Sequence, residues 1–267
     1  MNHSYEPSHY HQQHVHDQRS ASTLPSLISG TMLVSSSTTT SSVMAPHNRC
    51  EELRKKIHES HLSYLNMEET PVKLKTRTKI ECLIAEYLYL VPHSHKFCYS
   101  QFSNCFNRSI IENPEYSAYK ASSAFEALEK YATNLLMHPW RKEYHVICPY
   151  GGFYRHNIHK VLVGAEHIIS LMGFEYNSSK ESFELIHSII DPDKVSKVSL
   201  ECLVAFVECQ IMIQIRDEVK SKGYSDCTWQ EIHLIRTEYT CGITDSVKLI
   251  CERRKTAKLI DYESSPK

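Results

Sequence analysis

The chain has 267 residues, enough for one medium-sized domain with a tail or for two small domains. Its 30 Lys and Arg against 31 Asp and Glu give a formal net charge of −1, without the cation surplus that broad nucleic-acid binding requires. Gly is scarce, at seven residues, and neither common Gly-rich nucleotide-phosphate motif occurs. The 41% apolar content supports a sizeable core, and long amphipathic runs favour an all-α fold.

Ten cysteines form no C-x-x-C pair, and most lie within apolar helical patterns. A chain of this length needs no disulfides for stability, so we expect reduced thiols and a cytoplasmic protein that can also enter the nucleus. The first twenty residues lack the basic-then-apolar order of a signal peptide. The most apolar run, Cys202 to Ile213, is interrupted by Glu208 and is shorter than a membrane span, so we expect no membrane partner.

The composition of residues 1–47 differs from that of the rest of the chain. Five histidines fall in the first sixteen positions, and a Ser/Thr tract follows at 35–42. This segment has too little apolar surface to offset the entropy of ordering, so we predict a disordered tail. Histidine-rich tracts can bind Zn, Ni or Cu, but these histidines do not make a fixed ligand set. We therefore expect no metal and no other cofactor.

From Asn48 onward, apolar residues recur with helical spacing. The pattern predicts helices over about 48–64, 76–90, 96–111, 114–137, around 158–162, 165–172, 180–190, 196–222, from Thr228, and over 244–258. Residues 141–152 are predicted to form a loop, and no alternation typical of a sheet is evident. We therefore divide the chain into the tail, a helical domain over 48–240, and a C-terminal helix with a short tail over 241–267.

No catalytic site stands out among the plentiful Cys and His residues. The best candidate pair for a nucleophile and its base is Cys148 with His145, beside a Gly-Gly turn. Free Cys is among the most commonly buried residues, so core packing is the favoured interpretation of Cys148. The basic run Arg253–Lys255 is compatible with a localisation signal, but a solvated helix end is favoured. We expect no catalytic residues.

Several motifs carry a family resemblance. The segment Met137-His138-Pro139-Trp140-Arg141-Lys142-Glu143-Tyr144 resembles the Pro-Trp-basic-basic-Glu-aromatic signature of the spermatogenesis-associated protein 2 family, which includes the insect tamozhennic protein. Residues 197–201, 207–212 and 219–225 follow the spacing of that family. Phe153-Tyr154 and residues 171–175 resemble the core of a PUB domain, a small helical module of ubiquitin-pathway proteins. The resemblance covers about 123–225 and extends more weakly back to Cys50.

The resemblance implies a non-catalytic adaptor in ubiquitin signalling. Its PUB-like domain would bind the cylindromatosis deubiquitinase through the B-box in that enzyme's catalytic domain. Tyr150 occupies the loop position of the family's contact tyrosine, with Phe153, Tyr154 and Arg155 as the supporting rim. Asn157 could replace the loop Asn with which other PUB domains hold peptides. The residues alone leave Tyr150 either exposed or packed on its own domain, and we assign Trp140 to the core.

Alternative functions follow from the same residues. One is a tamozhennic-like regulator of nuclear import, and another is a cysteine-dependent enzyme using Cys148 and His145.

Family members also engage the linear-ubiquitin ligase complex through a downstream tyrosine peptide. The segment Ile260-Asp261-Tyr262-Glu263 resembles it with hydrophobic and acidic positions exchanged. Because the family's long C-terminal region and zinc-ribbon cysteines do not follow, we expect binding to the deubiquitinase without bridging to the ligase.

Overall fold

A computed structural model describes residues 46–186 and 190–264, with side chains described over 48–186 and 190–257. The tail that we predicted over 1–47 lies outside the described residues, apart from the backbone of 46–47. The side chains of Ile260 to Glu263 also lie outside them. Neither the disorder of the tail nor the peptide resemblance near the end of the chain is therefore tested.

Within the described residues, nine helices make up most of the chain, which confirms the predicted all-α class. They are α1 (Pro46–Leu65), α2 (Pro71–Leu90), α3 (Ser100–Glu112), α4 (Ala118–Met137), α5 (Gly152–Tyr154), α6 (Ala165–Leu171), α7 (Pro192–Ser221), α8 (Trp229–Glu238) and α9 (Ile243–Ser264). A π-helical segment, Arg155–His159, continues directly from α5, and short 3₁₀ turns occur at His93–His95 and Lys142–His145.

Side-chain caps set where the helices begin. The Thr70 hydroxyl accepts a hydrogen bond from the Lys73 backbone N–H, and a Pro follows the cap in the first turn, so α2 begins about five residues earlier than predicted. Asp191 caps α7 in the same way, accepting from Lys194 N–H at 3.0 Å. The predicted cap at Thr228 is confirmed, since its hydroxyl accepts from Glu231 N–H at 3.2 Å.

Helix α7 is the centre of the core. It is long and apolar enough to cross a membrane, but 89% of its most apolar stretch is buried inside the protein, as expected of a core helix. Helix α4 packs along it in the antiparallel sense. The hydroxyls of Thr133 and Ser199 are 3.4 Å apart near one end, and Tyr119 donates to Asp217 at 3.0 Å near the other.

Two of the predictions are wrong. Part of the predicted helix over 180–190 forms a strand, and the predicted loop over 141–152 contains another strand. A small antiparallel sheet contains β1 (Val146–Ile147), β2 (Phe174–Asn177) and β3 (Ser182–Leu185), in the order β1-β3-β2. Its β2–β3 turn is stabilised by the Asn177 side chain, which accepts from Ser179 N–H at 3.0 Å. Cross-strand packing of Tyr176 on Phe183 stabilises the hairpin, and helical spacing does not reveal such pairs.

Three buried charges join separate parts of the helical core. The Glu208 carboxylate of α7 accepts from Lys96 Nζ at 2.7 Å and from Arg236 Nε and Nη2 at 3.0 and 2.8 Å. Arg236, on α8, also donates to the carbonyl of Leu88 at the end of α2, at 3.1 Å. All three charged side chains are almost completely buried. We call this group the Glu208 cluster.

The pKa values of the Glu208 cluster follow from its burial and charges. Burial alone would raise the pKa of Glu208, but the charges and hydrogen bonds of Arg236 and Lys96 outweigh it and hold that pKa below its usual value. Burial lowers the pKa of Lys96 to about 8, although Glu208 opposes this shift. Glu208 is therefore ionised in the folded protein, and its negative charge balances the buried cations Lys96 and Arg236.

We expect Glu208→Gln to lower the free energy of unfolding by about 3–5 kcal/mol, because it leaves Lys96 and Arg236 buried without a counterion. Urea denaturation of the whole chain measures this change. The matched control is Glu218→Gln, an exposed position on the same helix, which should change the free energy by less than about 0.5 kcal/mol. Equal effects of the two substitutions would contradict a structural role for the cluster.

Two buried histidines make stability depend on pH. Burial lowers the pKa of His61 and of His233 to about 4, so both are neutral in the folded protein down to that pH. In the unfolded chain they titrate near the ordinary value of about 6.5 and bind protons first. The free energy of unfolding should therefore fall as the pH is lowered from about 6.5 toward 4.

Urea denaturation between pH 7 and pH 5 measures that slope, and His61→Asn with His233→Asn should flatten it. His167→Gln is the control, because this exposed histidine should leave the slope unchanged. A wild-type slope that survives both buried substitutions would contradict the assignment.

Candidate functional site

A tight turn between β1 and α5 presents the predicted contact tyrosine. Gly151 N–H donates to the Cys148 carbonyl at 3.0 Å, which closes a β-turn with Pro149 and Tyr150 at its two central positions. Arg155 N–H in turn donates to the Gly151 carbonyl at 3.0 Å and joins the turn to the following helix. The Tyr150 side chain is 64% exposed, so of the two open alternatives the structure shows the exposed one.

The hairpin holds the Tyr150 ring from one side. The hydroxyls of Tyr150 and Tyr176 interact, and this interaction is the largest cause of the raised pKa of Tyr176, which lies on β2. The Tyr176 ring packs edge-on against Phe183 of β3, with centroids 5.4 Å apart. Sequence reasoning missed Tyr176 because it assigned no strand there, although the alternation in Phe174-Glu175-Tyr176-Asn177 is a signal that could have found it.

Phe153 extends this exposed region along α5. Its side chain is 50% exposed, and its ring packs edge-on against Tyr131 of α4 at 6.4 Å between centroids. Tyr150, Phe153 and Tyr176 therefore each combine an exposed ring with an aromatic or hydroxyl contact behind it. We call these three residues the aromatic surface.

The structure corrects the prediction that Tyr154 belongs to the exposed rim of the site. Its side chain is 3% exposed, and its ring lies 6.1 Å from that of Phe183, between centroids. Burial is the largest cause of its raised pKa. Successive residues of a helical turn point about 100° apart, so an outward Phe153 directs Tyr154 into the core. Tyr154 supports the aromatic surface from beneath and does not line it.

The assignment of Trp140 to the core is wrong, because its side chain lies on the surface. Its side chain is 71% exposed and rests edge-on against His138, with ring centroids 5.4 Å apart. The corner is closed by His145, whose Nε2 lies 2.8 Å from the Pro139 carbonyl. Tyr144 packs against the core in its place, which leaves the indole outside.

Arg155 and Asn157 lie on the π-helical segment that follows the aromatic surface, and both are exposed. Asn157 Nδ2 donates to the Phe153 carbonyl at 3.0 Å, so part of its amide is committed to its own helix. Arg155 makes no ion pair within the described residues. Together with exposed His156 and Lys160 it gives this side of the surface a basic character.

The alternative pair of Cys148 and His145 is not assembled as a nucleophile and base. Cys148 is exposed, which corrects the core-packing interpretation, whereas Cys202 and Cys209 are buried. The His145 Nε2 atom is engaged by the Pro139 carbonyl. Within the described residues, no hydrogen bond joins Cys148 to His145, and no group of His, Cys, Asp and Glu is arranged to hold a metal ion.

We expect Gly151→Ala to lower the free energy of unfolding by about 1 kcal/mol, because its Cβ would approach the Cys148 carbonyl oxygen to 3.0 Å and open the turn. Gly152→Ala is the matched control, since its Cβ would meet nothing within 4 Å. The control should be neutral or stabilising by up to about 1 kcal/mol, through lower unfolded-state entropy. Urea denaturation compares the two, and equal behaviour would contradict the close approach at Gly151.

Comparison with known proteins identifies the family. The family model described as Spermatogenesis-associated protein 2, PUB-like domain, matches residues 53–238, within the domain that we predicted over 48–240. The chain is 35% identical to Protein tamozhennic of Drosophila melanogaster over 221 residues, which are 83% of this chain and 27% of that protein. It is 30% identical to Spermatogenesis-associated protein 2 of Rattus norvegicus over 172 residues, 63% of this chain and 33% of that protein.

The chain thus spans between about a quarter and a third of the length of these relatives. The matched domain is of a type that generally serves protein interaction without catalysis. The chain belongs to the spermatogenesis-associated protein 2 family and carries its PUB-like domain.

Proposed function

We propose that this protein is a non-catalytic adaptor in ubiquitin signalling, which binds a cylindromatosis-type deubiquitinase through the B-box of that enzyme. Family membership supports a role in protein interaction. The observation that carries the proposed site is the exposed Tyr150 ring on a closed turn, beside two further exposed aromatic rings. We place this activity in the cytoplasm, with access to the nucleus.

The geometry of the aromatic surface suits a protein interface. Aromatic side chains that are half-exposed and rigidly held commonly act as interface anchors, since little conformational entropy is lost on binding. The closed Pro149 turn restricts the backbone of Tyr150, and its hydroxyl interacts with Tyr176 before any partner arrives. Basic Arg155 beside these rings favours an acidic face on the partner.

Calorimetric titration of the whole chain with a B-box-containing deubiquitinase catalytic domain tests the proposal. We expect a binding free energy of about −8 kcal/mol for the wild type, corresponding to a micromolar Kd. Tyr150→Ala should weaken binding at least about tenfold. The matched control is Tyr119→Ala, another exposed tyrosine, at the start of α4 and about 18 Å along that helix from Tyr131.

The possible outcomes separate the site from the function. If Tyr150→Ala and Tyr119→Ala weaken binding equally, or if neither weakens it, the adaptor function would stand but its binding site would lie elsewhere. Failure of the folded wild type to bind would contradict the proposal. The predicted alternative, a regulator of nuclear import, would then be the hypothesis to test.

A further inference from the structure

A groove of about 390 Å³ lies between α1 and α7 and shares no residue with the aromatic surface. Its apolar lining comes from Ile57 of α1 and from Leu200 and Val204 of α7, with Tyr87 of α2 at one side. This volume lies within the range of ordinary ligand sites, which are mostly apolar with a few polar groups at defined places. The groove is therefore large enough to take at least one apolar side chain of a ligand.

The rim of the groove carries an excess of cationic side chains. Arg54, Lys55 and Lys197 line it, together with the carboxylate of Glu51. Lys197 makes no ion pair within the described residues, and Lys55 reaches only Glu59 at 4.0 Å, an exposed pair of little strength. Long basic side chains can cover apolar surface with their aliphatic stems while their charged ends stay in water. These two lysines are therefore available to an anionic ligand.

The other carboxylate in the groove is already satisfied by the fold. Glu201 is buried, and its Oε2 accepts from Cys98 N–H at 2.7 Å. Arg54 lies close by and contacts the Cys98 thiol. Glu201 thus holds the connection between α2 and α3, and within the described residues it forms no ion pair with Lys55 or Lys197.

We propose that this groove binds a short acidic peptide segment, which places one apolar side chain on the Leu200 and Val204 floor and its carboxylates near Lys55 and Lys197. The positive charge of the rim favours a negatively charged ligand. The apolar floor favours a ligand that has one apolar residue between its acidic residues. The site is separate from the aromatic surface, so the two ligands can be bound independently.

A displayed library of random heptapeptides, panned on the whole chain, tests the groove. We expect enriched sequences in which Asp or Glu flank one apolar residue. Binding of a synthetic enriched peptide should weaken at least tenfold in the double variant Lys55→Glu with Lys197→Glu, and should weaken with added salt. The control is Lys75→Glu with Lys79→Glu, two exposed positions on α2 outside the groove, which should bind as the wild type does.

Several results would overturn the proposal. They are a library that enriches no acidic peptide, an enriched peptide that binds both double variants equally, and binding that is lost in Tyr150→Ala. Urea denaturation shows whether each variant is folded. Titration of the Lys55 and Lys197 double variant with the B-box-containing catalytic domain separates this proposal from the proposed function, because that affinity should stay within about twofold of the wild type.

Discussion

The packing of α8 and the end of α2 against the central helix α7 depends on the charge of one buried carboxylate. Glu208 lies in the middle of the longest core helix and binds Lys96 and Arg236, while Arg236 reaches the end of α2 through Leu88. The segment that contains Leu88 and Lys96 and the helix α8 are thereby fixed to α7. Buried charges stabilise a fold only when each has its partner, so this cluster tolerates few alternative packings of the helices. The helical frame is specified by polar pairing as well as by apolar burial.

This frame positions the candidate interface in two steps. The antiparallel packing of α4 on α7 places Tyr131 where Phe153 rests on it. The small sheet then sets Tyr176 beside the turn that carries Tyr150. Each exposed ring of the aromatic surface therefore has a fixed element behind it, and the turn itself is closed by backbone hydrogen bonds. A partner would meet a surface that is largely formed in advance.

Much of the helical fold could be predicted, because helical spacing and caps such as Thr228 are local signals. The hairpin could not be predicted in the same way, since β3 depends on Phe183 packing against Tyr154 and on pairing with β1, both of which are distant along the chain. Trp140 and Tyr154 show the same limit at the site. Both are large aromatic residues near the same motif, yet one is outside and the other inside. Whether an aromatic ring is buried depends on the direction in which the local backbone turns, and composition does not encode that direction.

The central claim is that the hairpin orients Tyr150 for a protein partner through the interaction between the Tyr150 and Tyr176 hydroxyls. A double-mutant cycle tests it most directly, with Tyr150→Phe, Tyr176→Phe and both together, measured as affinity for the B-box-containing deubiquitinase. We predict that each substitution weakens binding by about three- to tenfold and that the double substitution weakens it no further. Losses that simply multiply, or a Tyr176→Phe variant that binds as tightly as the wild type, would contradict the account.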